Sequence, residues 1–312
     1  MKRKIFISLG VLGIILGGYI FLSFALSGFN YKVFLGLEER RLDSITYQEN
    51  VNNLNVSIAS DNLISKKSED DTVRISYYQS NIYDYKISLE NGTLTISQKK
   101  PWYIMFSFTK AKDIEITLPE SLISARLKLA SGTIDITSGI NIEELSVQAS
   151  SGEIILKDLT AETAEIKVSS GSVNITNMET ENLKISASSG NINLKKVDAE
   201  EADLSLSSGN VNLDDSSLIN LDIDASSGKI TSTKLRSENC EVLASSGTVN
   251  LGILTSDPEL YQLDLKTSSG KINVKGTGTD ISSQGILKFG NGPNLIKVSV
   301  SSGNITIKFE NA

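Results

Sequence analysis

The chain has 312 residues, 39% of them hydrophobic and 21% charged, which is globular rather than disordered composition. Its 37 Asp and Glu outnumber 30 Lys and Arg, and setting aside Lys2, Arg3 and Lys4 leaves 27 cations and a formal charge of −10 for the remainder. An acidic body excludes nucleic-acid binding and broad docking on anionic lipid. The single cysteine excludes an internal disulfide, and the lack of histidine excludes imidazole-based triads and His-ligated zinc.

Residues 1–4 form a basic tip, and residues 5–26 carry no charge. At 1.5 Å per residue those 22 positions reach about 33 Å, enough for a bilayer core. The expectation is a transmembrane helix over 5–26 with a cytoplasmic N-terminus and everything after it outside the cell. Tyr19, Phe21, Phe24 and Phe29 enrich its outer half, where aromatic rings suit the interface. A cleaved signal peptide is the competing reading, with Ser23 and Ala25 as a small-x-small site, but such apolar regions usually run about 7–15 residues. No cysteine follows the run and no sorting signal closes the chain, so the helix is expected to be the sole tether, with residues 27–44 as a juxtamembrane linker.

Residues 45–120 alternate apolar and polar positions over 55–59, 73–77, 93–97 and 114–118 without a strict repeat, and are read as irregular first coils that cap the body. Within them lies the densest aromatic stretch outside the helix, with Trp102, Tyr103, Phe106 and Phe108 flanked by Lys99, Lys100, Lys110 and Lys112. Either it is an exposed loop touching membrane or a partner, or it packs over the end of the core.

From residue 121 to 312 serine-glycine pairs recur. The glycines are 132, 152, 171, 190, 209, 228, 247, 270 and 303, at steps of 20, then five of 19, then 23 and 33. A fixed period near 20 is the signature of stacked coils. Two and four positions after the glycine stand inward apolar residues, such as Ile154 and Leu156 or Val173 and Ile175. Seven, five and three before it stand another set, such as Leu183, Ile185 and Ala187. A turn with one apolar plug (Leu159, Met178, Val197, Leu235) joins the two strands. The fold class expected is all-β: a parallel β-solenoid, β-helix or β-roll, of nineteen-residue Ser-Gly-x-Ile coils behind one transmembrane helix. Equivalent strands would pair in parallel about 4.8 Å apart, making a rod of about 40 Å. The segment 305–310 is expected at its far end, where Lys308 and Glu310 discourage edge pairing. The two long intervals place binding-type loops near 252–261 and 275–294.

Four rows invite a functional reading. Cys240 falls where other coils carry Leu or Ala, so it reads as a buried apolar side chain rather than a reactive thiol. Glu162, Glu181, Glu200 and Glu238 fall ten residues after their glycines and would either share a cation or line a solvated turn. Calcium repeats supply several oxygens per loop and these coils do not, which favours the turn. Asn174, Asn193 and Asn212, with Asn250 and Asn273, fall three after theirs. They read as an amide ladder or as a face that binds glycan. The Trp102, Tyr103, Phe106 and Phe108 stretch and Asn174, Asn193 and Asn212 are the candidate interaction surface. No catalytic, metal-ligating or cofactor-binding set is visible.

The anchor, Thr93-Leu-Thr-Ile96, Ile116-Thr-Leu-Pro119, the serial Ser-Gly-x-Ile/Val-x-Ile/Leu coils, Gly290-Asn-Gly292 and Ser301-Ser-Gly-Asn-Ile305 together resemble the putative-adhesin domain family of unknown function found in LiaG-like envelope proteins of Gram-positive bacteria. The resemblance covers residues 45–310 and implies a place at the cell envelope, in company with envelope-stress regulation. It carries over no catalytic residue. The function expected is a non-enzymatic, membrane-anchored extracellular protein that binds or senses at the envelope, its partners being envelope proteins or cell-wall glycan, with no cofactor. A carbohydrate-active β-helix enzyme and a passive spacer are the alternatives.

Overall fold

The serine-glycine bends define one edge of the molecule. In this computed structural model, which describes residues 2–35, 37, 39–80, 83–99, 110–278 and 280–311, the glycines stand in a column. A β-carbon on Gly171 would lie 1.8 Å from the Gly152 carbonyl oxygen, and one on Gly190 would lie 1.7 Å from that of Gly171. Only glycine lets one winding sit this close upon the next, and its φ of +137° at Gly190 is also one that other residues rarely adopt.

The elements before the repeat are α1 (Lys2–Leu26), α2 (Tyr31–Phe34), β1 (Arg41–Tyr47), β2 (Asn53–Ile58), β3 (Asn62–Lys67), β4 (Val73–Gln79), β5 (Asp84–Glu90), β6 (Thr93–Lys99) and β7 (Asp113–Leu118). Then come β8 (Ser121–Asp214), β9 (Ser217–Leu235), β10 (Asn239–Leu254), β11 (Tyr261–Ser269), β12 (Ile272–Lys275), β13 (Ile281–Ser283), β14 (Ile286–Phe289), β15 (Asn294–Ser302) and β16 (Ile305–Glu310). β8 runs 94 residues because its bends stay paired with neighbouring windings, as its straight segments do. All sixteen strands of the described residues join one open sheet.

Pairing is parallel and in nineteen-residue register: Leu204 faces Ile223, Gly209 faces Gly228, and Leu221 faces Cys240. That register puts every inward row into one continuous core running from Val51 to Phe309. Ile154, Val173, Ile192 and Val211 are fully buried, as are the turn plugs Val197 and Leu235. Each such side chain contributes roughly 1.5–3 kcal/mol. The turn that carries the plug has a left-handed backbone that was not read from the sequence. Asp158, Asn177, Lys196, Asp215 and Lys234, six residues after their glycines, all hold φ between +49° and +55°. Asp and Asn tolerate this left-handed turn because their short side chains bond locally. Between windings, Asn177 Nδ2 donates to Asp158 Oδ1 at 2.6 Å.

Two expectations about the body need correction. The segment 305–310 does not end the stack. β15 and β16 lie between β10 on one side and β11 with β12 on the other, all in parallel. The glycine column therefore runs 247, 303, 270, out of chain order. Nor are the ends parallel. Part of the 33-residue interval read as a loop instead forms β13 and β14, antiparallel to β12 and β11. At the opposite end β2 lies between β8 and β6, and β3 between β8 and β7, while β5, β4 and β1 add antiparallel strands outside them. A parallel edge needs a long crossover to extend it, whereas an antiparallel strand needs only a short turn, so reversal is the economical way to finish each end.

The N-terminal run is helical over 25 residues. Its described side chains begin at Leu12, and over the described residues no helix is long and apolar enough to cross a membrane. Ile14, Ile15, Leu16, Phe21 and Leu22 are all exposed. In the last turn of the helix, Phe24 packs edge-on against Phe29 and Phe34 with ring centroids 5.5 Å apart in both pairs, and Asn30 caps α2 through Lys32 N at 3.0 Å.

Candidate functional site

Small residues make a trough along the turn that follows each first strand. Ala161, Thr180 and Ala199, nine residues after their glycines, are buried and form its floor. In the same register Ala199 meets the larger Leu218, and Leu122, Ile123 and Ile142 stand at the other end, so small residues make the floor between larger ones at both ends. The Thr180 hydroxyl turns aside to backbone, donating to the Glu162 carbonyl at 3.2 Å and the Asn182 carbonyl at 3.3 Å. The result is an open groove of about 610 Å³.

Carboxylates line both walls. Glu162, Glu181 and Glu200 stand on one side of the floor, Glu179 and Asp198 on the other, and Glu143 near the end. All six are exposed, and none is in an ion pair with the described residues. Several acids elsewhere are matched: Lys184 reaches Asp203 at 3.1 Å, Lys195 reaches Asp214 at 3.4 Å, and Lys297 reaches Glu241 at 2.7 Å. The glutamate row read from the sequence is thus three neighbours and an outlier, because Ile219 separates Glu200 from Glu238. Among the described residues no three carboxylates converge as ligands for an ion.

The asparagine row forms a ladder. Asn174 Nδ2 donates to Glu153 Oε1, Asn193 Nδ2 to Asn174 Oδ1 and Asn212 Nδ2 to Asn193 Oδ1, each at 2.7 Å. A second ladder on the opposite strand runs from Asn239 to Asn220 and from Asn220 to Glu201, both at 2.8 Å. Cys240 is buried in the core, and desolvation first, with the Asp222 charge second, pushes its thiol up to about 12. Trp102, Tyr103, Phe106 and Phe108 lie outside the described residues.

The sequence did not point to a buried polar cluster at the same bend. Asp61 occupies the place of the glycine in its winding, next to Gly132. Arg40 Nη1 binds both its oxygens at 2.7 and 2.6 Å, Gln98 Nε2 donates at 2.7 Å, the Tyr85 hydroxyl donates to it, and Lys112 N donates at 3.0 Å. The Arg40 guanidinium also lies 3.5 Å from the centre of the Tyr83 ring. Burial, then the Asp61 charge, drives the Tyr85 hydroxyl pKa well above its ordinary value. This ties the first residue before β1 to the base of the stack. A signal exists only in retrospect, as an acid standing where the bend calls for glycine.

A wound β body of stacked nineteen-residue coils with a continuous core is thus the class of protein the chain defines. The chain belongs to the Toastrack DUF4097 family, whose profile matches residues 51–308. Among solved structures it is similar to a putative adhesin from Bacteroides fragilis NCTC 9343, at 15% identity and TM-score 0.42, covering 86% of this chain and 97% of that one. A putative adhesin from Parabacteroides distasonis ATCC 8503 is similar at 13% identity and TM-score 0.37, covering 85% and 97%. A putative lipid-binding protein from the same organism gives 13% and 0.36, covering 87% and 98%. At these values the likeness carries no argument about function. No curated protein matches the chain.

Proposed function

We propose that the chain is a non-enzymatic, membrane-anchored protein whose parallel β-solenoid stands outside the cell and acts by binding at the envelope, in an adhesin-like or envelope-stress-associated role. The observation that carries this reading is the open groove whose acids repeat at coil spacing along a laddered stack. Such an array offers one chemistry repeatedly along a line, which suits an extended partner. Exposed apolar side chains around the described part of α1 support the anchor, since a helix apolar on all faces is stable in lipid or against a partner.

The test uses the full chain in intact cells. External protease is expected to remove the body and leave the helix with the membrane, and the full chain solubilised in detergent is expected to capture isolated envelope material without releasing sugar from it. Protection of the body from external protease would remove the proposed topology, and release of reducing sugars would favour the carbohydrate-active alternative.

A further inference from the structure

The groove beside Ala161, Thr180 and Ala199 is, we infer, a docking site for an extended basic polypeptide segment. This deepens the binding reading above and rests on it. Shape gives the first argument. From the level of Leu122 to that of Ile219 the groove crosses five winding steps, about 24 Å at 4.8 Å per step, the length of about seven residues of extended chain. The floor is small and apolar, which admits a backbone and short side chains into the trough.

Charge gives the second. Six carboxylates flank that floor, and no lysine or arginine is among the described lining residues. Stacked acids one coil apart repel one another, and at two positions outside the groove the chain relieves this by placing a lysine in the next winding, as Lys184 does for Asp203 and Lys195 for Asp214. Along the groove that relief is missing, and a partner bearing cations on alternate residues would supply it. Other occupants fit less well. A divalent ion needs convergent ligands, which the described residues do not provide. A glycan is ordinarily held on aromatic faces, and no aromatic side chain is among the described residues lining the groove. Anionic lipid would be repelled.

The test uses the full chain in dodecyl maltoside micelles and a fluorescein-labelled octapeptide of alternating lysine and alanine, followed by anisotropy. Saturable one-to-one binding is expected, weakening at least tenfold between low and high salt. It should weaken at least tenfold in the combined variant Glu162→Gln, Glu181→Gln, Glu200→Gln. A control, Asp222→Asn, Asp224→Asn, Asp280→Asn, removes the same charge from outside the groove and should bind like the parent. Absence of binding, or equal loss in both variants, overturns the proposal. So does a rise in melting temperature with calcium chloride that needs the same glutamates while the peptide does not bind. If the peptide fails but envelope material is still captured, this inference falls alone. If both fail, the binding reading falls with it.

Discussion

Asn193 donates its amide to the side-chain oxygen of Asn174 at 2.7 Å, and it receives the same bond from Asn212, nineteen residues further on. Each amide thus registers one winding against the next. In Asn193→Ala both bonds vanish, and a loss of about 1–3 kcal/mol is expected, at roughly 0.5–1.5 per bond. Asn193→Asp should be worse, because its carboxylate would face the Asn174 oxygen with no proton between them. Urea melts of the three proteins at pH 7 check the order.

The glycine column predicts a sharp positional contrast. A β-carbon at Gly190 would collide with the Gly171 carbonyl, whereas one at Gly278 meets nothing within 4 Å. Both carry positive φ, so Gly278→Ala is expected to lose only the conformational term of about 1–2 kcal/mol. Gly190→Ala must also push two windings apart and should lose several kcal/mol or fail to fold. Equal melting temperatures for the two variants would contradict the stacking.

Burial of Cys240 has a reactivity and a pH consequence. With its thiol pushed up to about 12, iodoacetamide at neutral pH should leave it unlabelled until the chain is unfolded in denaturant. Unfolding returns the thiol to about its ordinary 9.0, so between that value and about 12 the unfolded chain binds fewer protons than the folded one. Its contribution to stability is therefore whole below pH 9 and is lost as pH rises towards 12, which melts across that range in the parent and in Cys240→Ala would reveal.

Asp61 and Arg40 form a buried pair, their side chains 1% and 3% exposed. Removing either partner strands a charge in the core, so Asp61→Ala should lose about 3–5 kcal/mol. Replacing both with apolar residues of similar size should be milder than either single change. A double-mutant comparison by thermal melting reads the difference directly. A double variant weaker than both singles would show that the pair is not the unit.

The rows of the repeat were legible because they follow one rule, a glycine every nineteen residues with apolar partners at fixed offsets. Ile154, Val173 and Ile192 fall where that rule puts them, and so does Cys240. Three things were not legible, each for a physical reason. The interleaving of β15 and β16 between β10 and β12 depends on which windings meet over 33 and 56 residues of separation, and local pattern does not encode that choice. The plug turn was placed, but not its left-handed backbone, which Asp158, Asn177 and Lys196 share without a common side-chain signature. The groove exists because Ala161, Thr180 and Ala199 are small, and a small residue in a turn reads as an ordinary turn.

The stacking order of the last windings tests the account most directly, through engineered disulfides in a Cys240→Ala background. Asn250 and Asn273 each face Thr306 from opposite sides. Neighbouring windings about 4.8 Å apart are within disulfide reach, whereas windings two steps apart are not. Oxidation should therefore bridge Asn250→Cys with Thr306→Cys, and Asn273→Cys with Thr306→Cys, and leave Asn250→Cys with Asn273→Cys unbridged. Bridging of the last pair without the first would mean that the windings stack in simple chain order, contrary to the structure described.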